Sequence, residues 1–311
     1  MQKLKGKVAV VAGATRGAGR GIACMLGEAG ATVYCTGRST RTNGLEGTSH
    51  GNTSPPSKRN SHSPFELERR PETIEETAEM VDSYGGIGIP VQVDHTVEEQ
   101  VAALFDRVRA EQGRLDILFN DIWGGDALTE WDKPFWQLSI DKGKLMLERA
   151  VFAHIMASRY GAPLMVEARS GLIVEITDGD SDAYRGNLFY DLATMCAIRL
   201  ARTMAEELRP YNVTALAVTP GYLRSEAMLD FFGVTKANWQ DGAKKDPHFI
   251  ASETMFYVGR AVASLAADQD VASKSGGVYT SWGLAREYGF ADIDGRRPDW
   301  GKYYEENVRT G

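Results

Sequence analysis

The chain has 311 residues, 43% of them hydrophobic and 25% charged, which is typical of a folded globular protein with a sizeable core. Its formal net charge of −7 disfavours non-specific attraction to nucleic acids or anionic membranes, so we expect neither as a partner. Cys24, Cys35 and Cys196 form no C-x-x-C pair and are odd in number, which argues against a disulfide framework. Together with the lack of a signal-peptide pattern or long apolar run, this favours the cytoplasm.

Strand-like apolar runs alternate with helix-length amphipathic segments along most of the chain. Strands are predicted at residues 8–12, 32–36, 87–93, 115–119, 172–176, 213–218 and 277–279. Helices are predicted at residues 19–29, 72–83, 98–112, 145–166, 190–208 and 253–267. This alternation predicts the α/β class: one doubly wound domain over residues 1–311, with a mainly parallel seven-stranded sheet covered by helices on both faces.

Two segments depart from this alternation. Residues 39–70 are rich in Ser, Thr, Asn, Gly and Pro, which predicts a flexible insertion that is either functional or disordered. The tail at residues 281–311 is polar but holds many aromatic side chains, so we expect it to pack on the body of the domain.

A glycine-rich turn follows the first strand, where Gly13, Gly17 and Gly19 are spaced around Thr15 and Arg16. Glycines in such a turn permit close approach of the backbone to a pyrophosphate, and the free amides of the following helix can bind it. An ordinary strand-to-helix turn is the alternative. The position of the turn in the first β-α-β unit favours a Rossmann-type dinucleotide site formed by these five residues.

The residues after the second strand decide between the two nicotinamide cofactors. NAD sites usually carry an acid there, whereas this chain has Thr36-Gly37-Arg38, with Arg41 close behind. Arg38, together with Arg16 in the glycine turn, suits the 2′-phosphate of NADP(H), which a guanidinium can bind through two hydrogen bonds. Two solvent-facing arginines are the alternative.

Two further polar residues stand where strands end. Asp94 ends the third predicted strand and Asn120 follows the fourth. Open α/β sheets bind ligands at the carboxyl ends of their strands, so both are candidate cofactor contacts. Simple capping of loops is the alternative.

In order and spacing, these residues resemble the short-chain dehydrogenase/reductase family over roughly residues 5–280. The match joins the glycine turn, Asp94 and Asn120 to the fifth strand, to Tyr190 within Phe-Tyr-Asp-Leu-Ala, and to Pro220-Gly221 after the sixth strand. The chain looks most like a subgroup with an extended loop after the second strand and a Tyr-Gly-Phe-x-Asp-x-Asp-Gly tail.

The resemblance implies a nicotinamide cofactor, hydride exchange with a carbonyl or alcohol, and hence a small-molecule substrate. It implies that Pro220 and Gly221 flank the nicotinamide and that residues at about 222–250 form a substrate lid. It also implies a homodimer or homotetramer built on the long helices at 145–166 and 190–208.

The catalytic positions depart from the family's pattern of Ser, Tyr and Lys, often with Asn. Tyr190 fits the tyrosine, but Thr194 stands where the lysine is expected, and Thr177 or Asp178 takes the place of the serine. The Asn position falls at residues 148–150, which hold no Asn. Without an ammonium nearby, Tyr190 is expected to stay a neutral phenol. Such a phenol can donate a proton during reduction but cannot act as the base in oxidation, so any activity should favour carbonyl reduction.

Three functions fit these residues. The first is an NADP(H)-dependent carbonyl reductase in which Tyr190 donates the proton and Thr177 or Asp178 anchors the substrate. The second is a catalytically weak or inactive NADP(H)-binding scaffold or sensor, which the missing lysine favours. The third is a non-redox enzyme with Asp178 as its base.

Aromatic side chains cluster after the fourth strand, at Trp123, Trp131, Phe135 and Trp136, where they line an apolar pocket or pack within a loop. The five histidines, at positions 50, 62, 95, 154 and 248, lack metal-ligand spacing, so no metal site is expected.

Overall fold

The computed structural model describes residues 2–42, 65 and 70–309. Seven parallel strands form the main sheet in the order β3-β2-β1-β4-β5-β6-β9. Their bounds are β1 Val8–Ala12, β2 Thr32–Gly37, β3 Ile87–Gln92, β4 Ile117–Asn120, β5 Gly171–Ile176, β6 Val213–Thr219 and β9 Val278–Thr280. Two short strands, β7 Leu223–Arg224 and β8 Glu253–Thr254, pair separately. The predicted α/β class and the seven-stranded parallel sheet are confirmed.

Helices cover both faces of this sheet. They are α1 Gly17–Glu28, α2 Ile74–Ser83, α3 Glu98–Gln112, α4 Ile140–Leu147, α5 Ala153–Ala168, α6 Leu188–Leu208, α7 Glu226–Phe232, α8 Met255–Ala267, α9 Ser281–Tyr288 and α10 Trp300–Asn307. Alternate residues of β1 point to opposite faces, where Val11 packs with α1 and α8, and Val10 packs with α3 and α5. No helix in the described part of the chain is both long enough and apolar enough to cross a membrane.

The sheet order reverses beside β1. β2 and β3 lie on one side of it, whereas β4, β5 and β6 lie on the other. Connections that leave in opposite directions open a crevice at the carboxyl ends of such strands, and this is where doubly wound sheets bind ligands. The topology therefore fixes the place of the site before any side chain is considered.

Several predicted boundaries were wrong. The helix predicted at 145–166 begins earlier, at Ile140, and a π-helical turn at Glu148–Phe152 separates α4 from α5. The helix predicted at 253–267 begins at Met255, because Glu253–Thr254 pairs with β7 and the Thr254 side chain caps α8. Most of the predicted insertion at 39–70 lies outside the described residues.

Candidate active site

An elongated cleft of about 2250 Å³ runs along the carboxyl ends of the central strands. We refer to its two parts as the β2 end, formed by residues after β1 to β3, and the β5 end, formed by residues after β5 and β6. Most residues predicted for the site line this cleft: Gly13, Thr15, Arg16, Gly17, Arg38, Asp94, Thr177, Asp178, Tyr190, Pro220 and Gly221. Three predicted residues are not part of its wall: Gly19, Asn120 and Thr194.

The glycine turn closes tightly around the start of α1. Gly13 has a φ of +95°, and a methyl group there would collide with the carbonyl oxygen of Asp121. A methyl group on Gly19 would collide with the carbonyl oxygen of Gly13, so neither position admits a side chain. Gly17, which begins α1, lines the cleft. The turn therefore has the shape that lets a backbone approach a phosphate.

Two carboxylates contact the first amides of α1. The N–H of Gly17 donates to Glu226 Oε2 at 2.9 Å, and the N–H of Gly19 donates to Asp121 Oδ2 at 2.5 Å. Burial raises the pKa of Asp121 to about 7, although the bond from Gly19 opposes this rise. Neither acid was predicted from the sequence. Asn120 was selected as the polar residue at the end of the fourth strand instead of its neighbour Asp121, and Glu226 lies in the predicted lid.

Guanidinium groups dominate the β2 end. Arg70 binds Glu72 through two hydrogen bonds of 2.6 and 2.9 Å, and Arg16 Nε donates to the same carboxylate at 3.3 Å. Burial alone would raise the pKa of Glu72, but the hydrogen bonds and charge of Arg70 lower it. Arg38 is half exposed, and its Nη1 lies 3.9 Å from Asp94 Oδ2. Three guanidiniums therefore face two carboxylates at this end.

Arg41 lies outside the cleft, in contrast to Arg38. Its Nη2 donates to Glu79 Oε2 at 2.6 Å, and both side chains are exposed on the surface. Arg70 and Glu72 were not predicted from the sequence, because they follow the long insertion and composition does not indicate where that segment returns to the sheet.

A buried polar network lies at the ends of β4 and β5. His154 Nδ1 donates to Glu175 Oε2 at 2.6 Å, and its Nε2 donates to the carbonyl oxygen of Ile122 at 3.0 Å. Asn120 Nδ2 donates to Glu175 Oε1 at 2.7 Å and to Ser158 Oγ at 3.0 Å. Both ring nitrogens of His154 face oxygen atoms, an arrangement that favours the doubly protonated, positively charged ring. Burial alone would lower the pKa of His154, but Glu175 raises it.

Asn120 therefore links α5 to the sheet and is fully buried. The pair formed by His154 and Glu175 was not predicted, because the spacing of the histidines bears only on metal binding. A glutamate within the apolar run of β5 was the local signal that could have indicated it.

At the β5 end, Tyr190 and Asp178 form a hydrogen-bonded pair on the cleft wall. Tyr190 Oη donates to Asp178 Oδ2 at 2.8 Å. The Asn187 side chain caps α6 by accepting from the amides of Phe189 and Tyr190, which sets Tyr190 in the first turn of that helix. Burial and the negative charge of Asp178 raise the pKa of Tyr190 well above its ordinary value. The phenol consequently keeps its proton at physiological pH.

The hydroxyl groups of Thr177 and Thr194 are bonded to the backbone of α6. Thr177 Oγ1 donates to the carbonyl oxygen of Thr194 at 2.9 Å, and Thr194 Oγ1 donates to that of Tyr190 at 3.0 Å. Both threonines are buried. Asp178, by contrast, is exposed to the cleft, and no residue in the described part of the chain donates to its Oδ1.

Arg185 fixes the loop that carries Asp178. Its guanidinium donates to the backbone carbonyls of Asp178, Ser181 and Ala183, and its Nη1 lies 3.6 Å from Asp191 Oδ1. This role was not predicted, because loop contacts to backbone carbonyls leave no pattern in the sequence. The loop is also tied to β6, because the N–H of Gly179 donates to Thr219 Oγ1 at 2.9 Å, so the position of Asp178 is fixed by both contacts.

Aromatic rings surround the tyrosine. Trp123 lines the cleft and meets the ring of Tyr190 edge-on, with centroids 5.5 Å apart. Trp131 lies 5.1 Å from the same ring. Phe135 and Trp136 are 63% and 71% exposed, so the predicted aromatic cluster divides between the cleft and the surface.

The amide of Gly221 is bonded to a buried carboxylate. Its N–H donates to Glu253 Oε2 at 2.9 Å, and Ser281 Oγ donates to the same oxygen at 2.5 Å. Burial raises the pKa of Glu253 to about 8. Trp300 of α10 packs directly against Gly221, so the C-terminal tail supplies part of the cleft wall beside Pro220.

The same tail is fastened to the segment predicted as a lid. Arg224 Nη2 lies 2.6 Å from Asp294 Oδ2. The guanidinium groups of Arg224 and Arg296 both lie over the ring of Trp239, at 3.8 and 4.4 Å from its centroid. These contacts connect residues 222–250 to the tail through charge and ring stacking.

Comparison with known proteins agrees with this architecture. The dehydrogenase/reductase SDR family member 1 of Mus musculus is 34% identical over 297 residues, which cover 94% of this chain and 85% of the mouse protein. The structure of a putative dehydrogenase from Xanthomonas campestris superposes with a TM-score of 0.70 at 22% identity, covering 96% of this chain and 95% of that one. A putative NAD(P) dependent gluconate 5-dehydrogenase from Beutenbergia cavernae with bound NADP has a TM-score of 0.65 at 21% identity, covering 90% and 96%. The family model described as short chain dehydrogenase matches residues 58–232, and the chain belongs to this family of oxidoreductases.

Proposed function

We propose that the protein is an NADP(H)-dependent oxidoreductase that catalyses reduction. It would add hydride to a polarised double bond, for which a carbonyl is the family's ordinary substrate. The observation that supports this most directly is the continuity of one cleft. It joins the glycine turn and its arginines to the phenol of Tyr190.

The residues at the β2 end fit a dinucleotide. Gly13 and Gly19 exclude side chains, which leaves the backbone open for a pyrophosphate, and Arg16 and Arg38 suit a 2′-phosphate. Pro220 and Gly221 would flank the nicotinamide. The bound cofactor would supply the hydride.

The proton needed by a carbonyl substrate would come from Tyr190 Oη. Its raised pKa keeps this phenol protonated, and it can pass the proton to a developing alkoxide because the alkoxide is the stronger base. Oxidation would need the phenolate, which the carboxylate of Asp178 disfavours and which Thr194, being uncharged, does not stabilise. The charges around Tyr190 therefore support the predicted bias towards reduction.

Calorimetric titration with NADPH and NADH tests the cofactor assignment. We expect Arg38→Ala to weaken NADPH binding by about 10- to 100-fold, since charge-assisted hydrogen bonds contribute roughly 1.5–3 kcal/mol, and to leave NADH binding unchanged. Arg41→Ala is the matched control, because that side chain binds Glu79 outside the cleft. A preference of the natural protein for NADH would overturn the assignment.

A catalytically weak NADP(H)-binding protein is the second candidate. It is favoured by the hydroxyl groups of Thr177 and Thr194, which are committed to carbonyl oxygens of α6. Tight NADPH binding without NADPH consumption on any aldehyde, ketone or imine would select this candidate over the reductase.

We also propose a homodimer or homotetramer built on α5 and α6. Large apolar side chains are exposed in this part of the chain, among them Phe152, Ile155 and Leu192. Light scattering coupled to size-exclusion chromatography gives the mass directly, and a monomer at micromolar concentration would exclude this assembly.

A further inference from the structure

We infer that the preferred substrate is an organic cation with a protonated carbon–nitrogen double bond, held by Asp178 Oδ1 within the aromatic wall of the β5 end. This rests on the proposed hydride-transfer function and specifies its substrate class. Three features carry the inference: the charges around Tyr190, the open oxygen of Asp178, and the aromatic lining.

Negative charge dominates beside the reactive position. The carboxylates of Asp178 and Asp126 both act on Tyr190, and Arg185 is the positive group that opposes them. The Arg185 guanidinium is directed to three backbone carbonyls and lies near Asp191. Thr194 brings no charge, and the two guanidiniums nearby, Arg185 beside Asp178 and Arg149 on the cleft wall, are bonded to backbone carbonyls, so Asp178 is left as a carboxylate open to a cation.

Asp178 has one oxygen in use and one available. Its Oδ2 accepts from Tyr190 Oη, while no described residue donates to Oδ1. A carboxylate fixed in this way suits a substrate N–H⁺ better than a substrate carbonyl, whose oxygen is also an acceptor and would be repelled. Tyr190 then acts on the substrate through Asp178, as a positioning residue.

The aromatic wall adds attraction for the same kind of ligand. Trp123 lines the cleft beside Tyr190, and Tyr222 and Trp300 line it with ring centroids 5.5 Å apart. Aromatic faces attract desolvated cations, which is how proteins commonly bind substituted ammonium groups. Asp178 and the ring of Trp123 both adjoin Tyr190, so an acid and an aromatic ring lie together at this part of the cleft.

This substrate class accounts for the missing lysine. In an iminium ion, R₂C=NHR′⁺, hydride from the reduced nicotinamide forms a C–H bond at carbon. The electron pair of the C=N π bond moves to nitrogen, giving the neutral amine R₂CH–NHR′. The proton is already on nitrogen before hydride arrives, so no side chain has to supply one in this step. Asp178 stabilises the charged form of the substrate and thereby raises the fraction that is protonated when bound.

The experiment uses a matched pair of bicyclic substrates, 3,4-dihydroisoquinoline and 1-tetralone, with NADPH consumption as the readout. We expect kcat/KM to be at least 10-fold higher for the imine. Asp178→Asn should lower the imine value at least 10-fold and leave NADPH affinity unchanged. Asp182→Asn, an exposed change in the same loop but outside the cleft wall, should leave both values as they are.

Two measurements separate the roles of the pair. Tyr190→Phe should nearly abolish tetralone reduction, as expected for loss of a proton donor worth ~10²–10⁴-fold, while most imine reduction remains. Calorimetry with 1,2,3,4-tetrahydroisoquinoline, a cation at neutral pH, should show tighter binding than 1-tetralol, and Asp178→Asn should remove the difference.

NADPH consumption with tetralone but not with the imine, or equal binding of amine and alcohol, would overturn the inference and leave the proposed function standing. An absence of NADPH binding would overturn both.

Discussion

The two ends of the cleft differ in what constrains their residues. At the β2 end, backbone atoms fill the space where side chains of Gly13 and Gly19 would lie, so the turn has no freedom to change. At the β5 end, Asp178 projects into open space from a loop that Arg185 holds in place. A change of side chain there alters the chemistry while the fold is maintained. The comparison shows that steric constraint falls on the glycine turn, whereas the side chains at the β5 end can change without disturbing the backbone.

The largest effect on NADPH binding is expected from adding a side chain to the glycine turn at the β2 end. Gly13→Ala forces a non-glycine residue to a φ of +95° and drives its methyl group into the carbonyl of Asp121. We expect loss of detectable NADPH binding by calorimetry and a lower free energy of unfolding in urea. Gly113→Ala is the control, because Gly113 also has a positive φ of +66° but has open space around it. It should cost only about 1 kcal/mol and leave binding intact. Equal effects of the two variants would show that steric filling does not constrain the turn.

The buried network at the ends of β4 and β5 should matter more for stability than Asp178, which is exposed on the cleft wall. His154→Leu leaves the carboxylate of Glu175 buried without its charge partner, so we expect a loss of about 3–5 kcal/mol in urea denaturation. The double variant His154→Leu/Glu175→Leu should recover much of this loss. Asp178→Asn, at the exposed cleft wall, should cost under about 1 kcal/mol. A His154→Leu protein as stable as the natural one would contradict the ion pair.

The pH dependence of stability tests the raised pKa of Glu253, whose side chain accepts from the amide of Gly221. Burial raises the pKa of Glu253 from 4.5 to about 8, so the folded chain binds more protons than the unfolded chain between these values. Stability should therefore fall as pH rises from about 4.5 to 8, by at most about 1.4 kcal/mol per pH unit from this group. Glu253→Gln cannot titrate, so its stability relative to the natural protein should improve as pH rises.

Parallel curves from urea titrations at pH 5 to 8.5 would exclude this contribution. Asp121 and His154, whose pKa values are also raised, should leave a residual slope of the same sign in both proteins.

The smallest effect is expected at the first amide of α1. Glu226 accepts from Gly17 N–H, at the place where a pyrophosphate would bind. Glu226→Gln removes a negative charge from this position and should tighten NADPH binding a few-fold in calorimetric titrations. Glu206→Gln, an exposed change next to Arg209 and outside the cleft, should have no effect. Weaker binding of NADPH by Glu226→Gln would show that the carboxylate assists the cofactor.

The strands and most helices could be predicted because their apolar periodicity is local. The π-helical turn at Glu148–Phe152 could not, because it shifts the hydrogen-bond register inside a segment that remains helical in pattern. Asp178 and Tyr190 are predicted from the sequence as separate candidates, without a contact between them. Their hydrogen bond depends on how α6 packs against β5, and so does the position of Thr194 outside the cleft wall. This packing cannot be derived from local sequence patterns.

Two distant stretches of the sequence depend on each other for their packing. Trp239 contacts Arg224 and Arg296, and Arg224 pairs with Asp294, so a change in one stretch affects the other. Grafting residues 222–250 from a relative in order to alter substrate range would break the stacked guanidiniums unless residues 290–300 were transferred as well. Recombination breakpoints between these stretches should therefore yield poorly folded hybrids, whereas exchange of both together should preserve a working cleft.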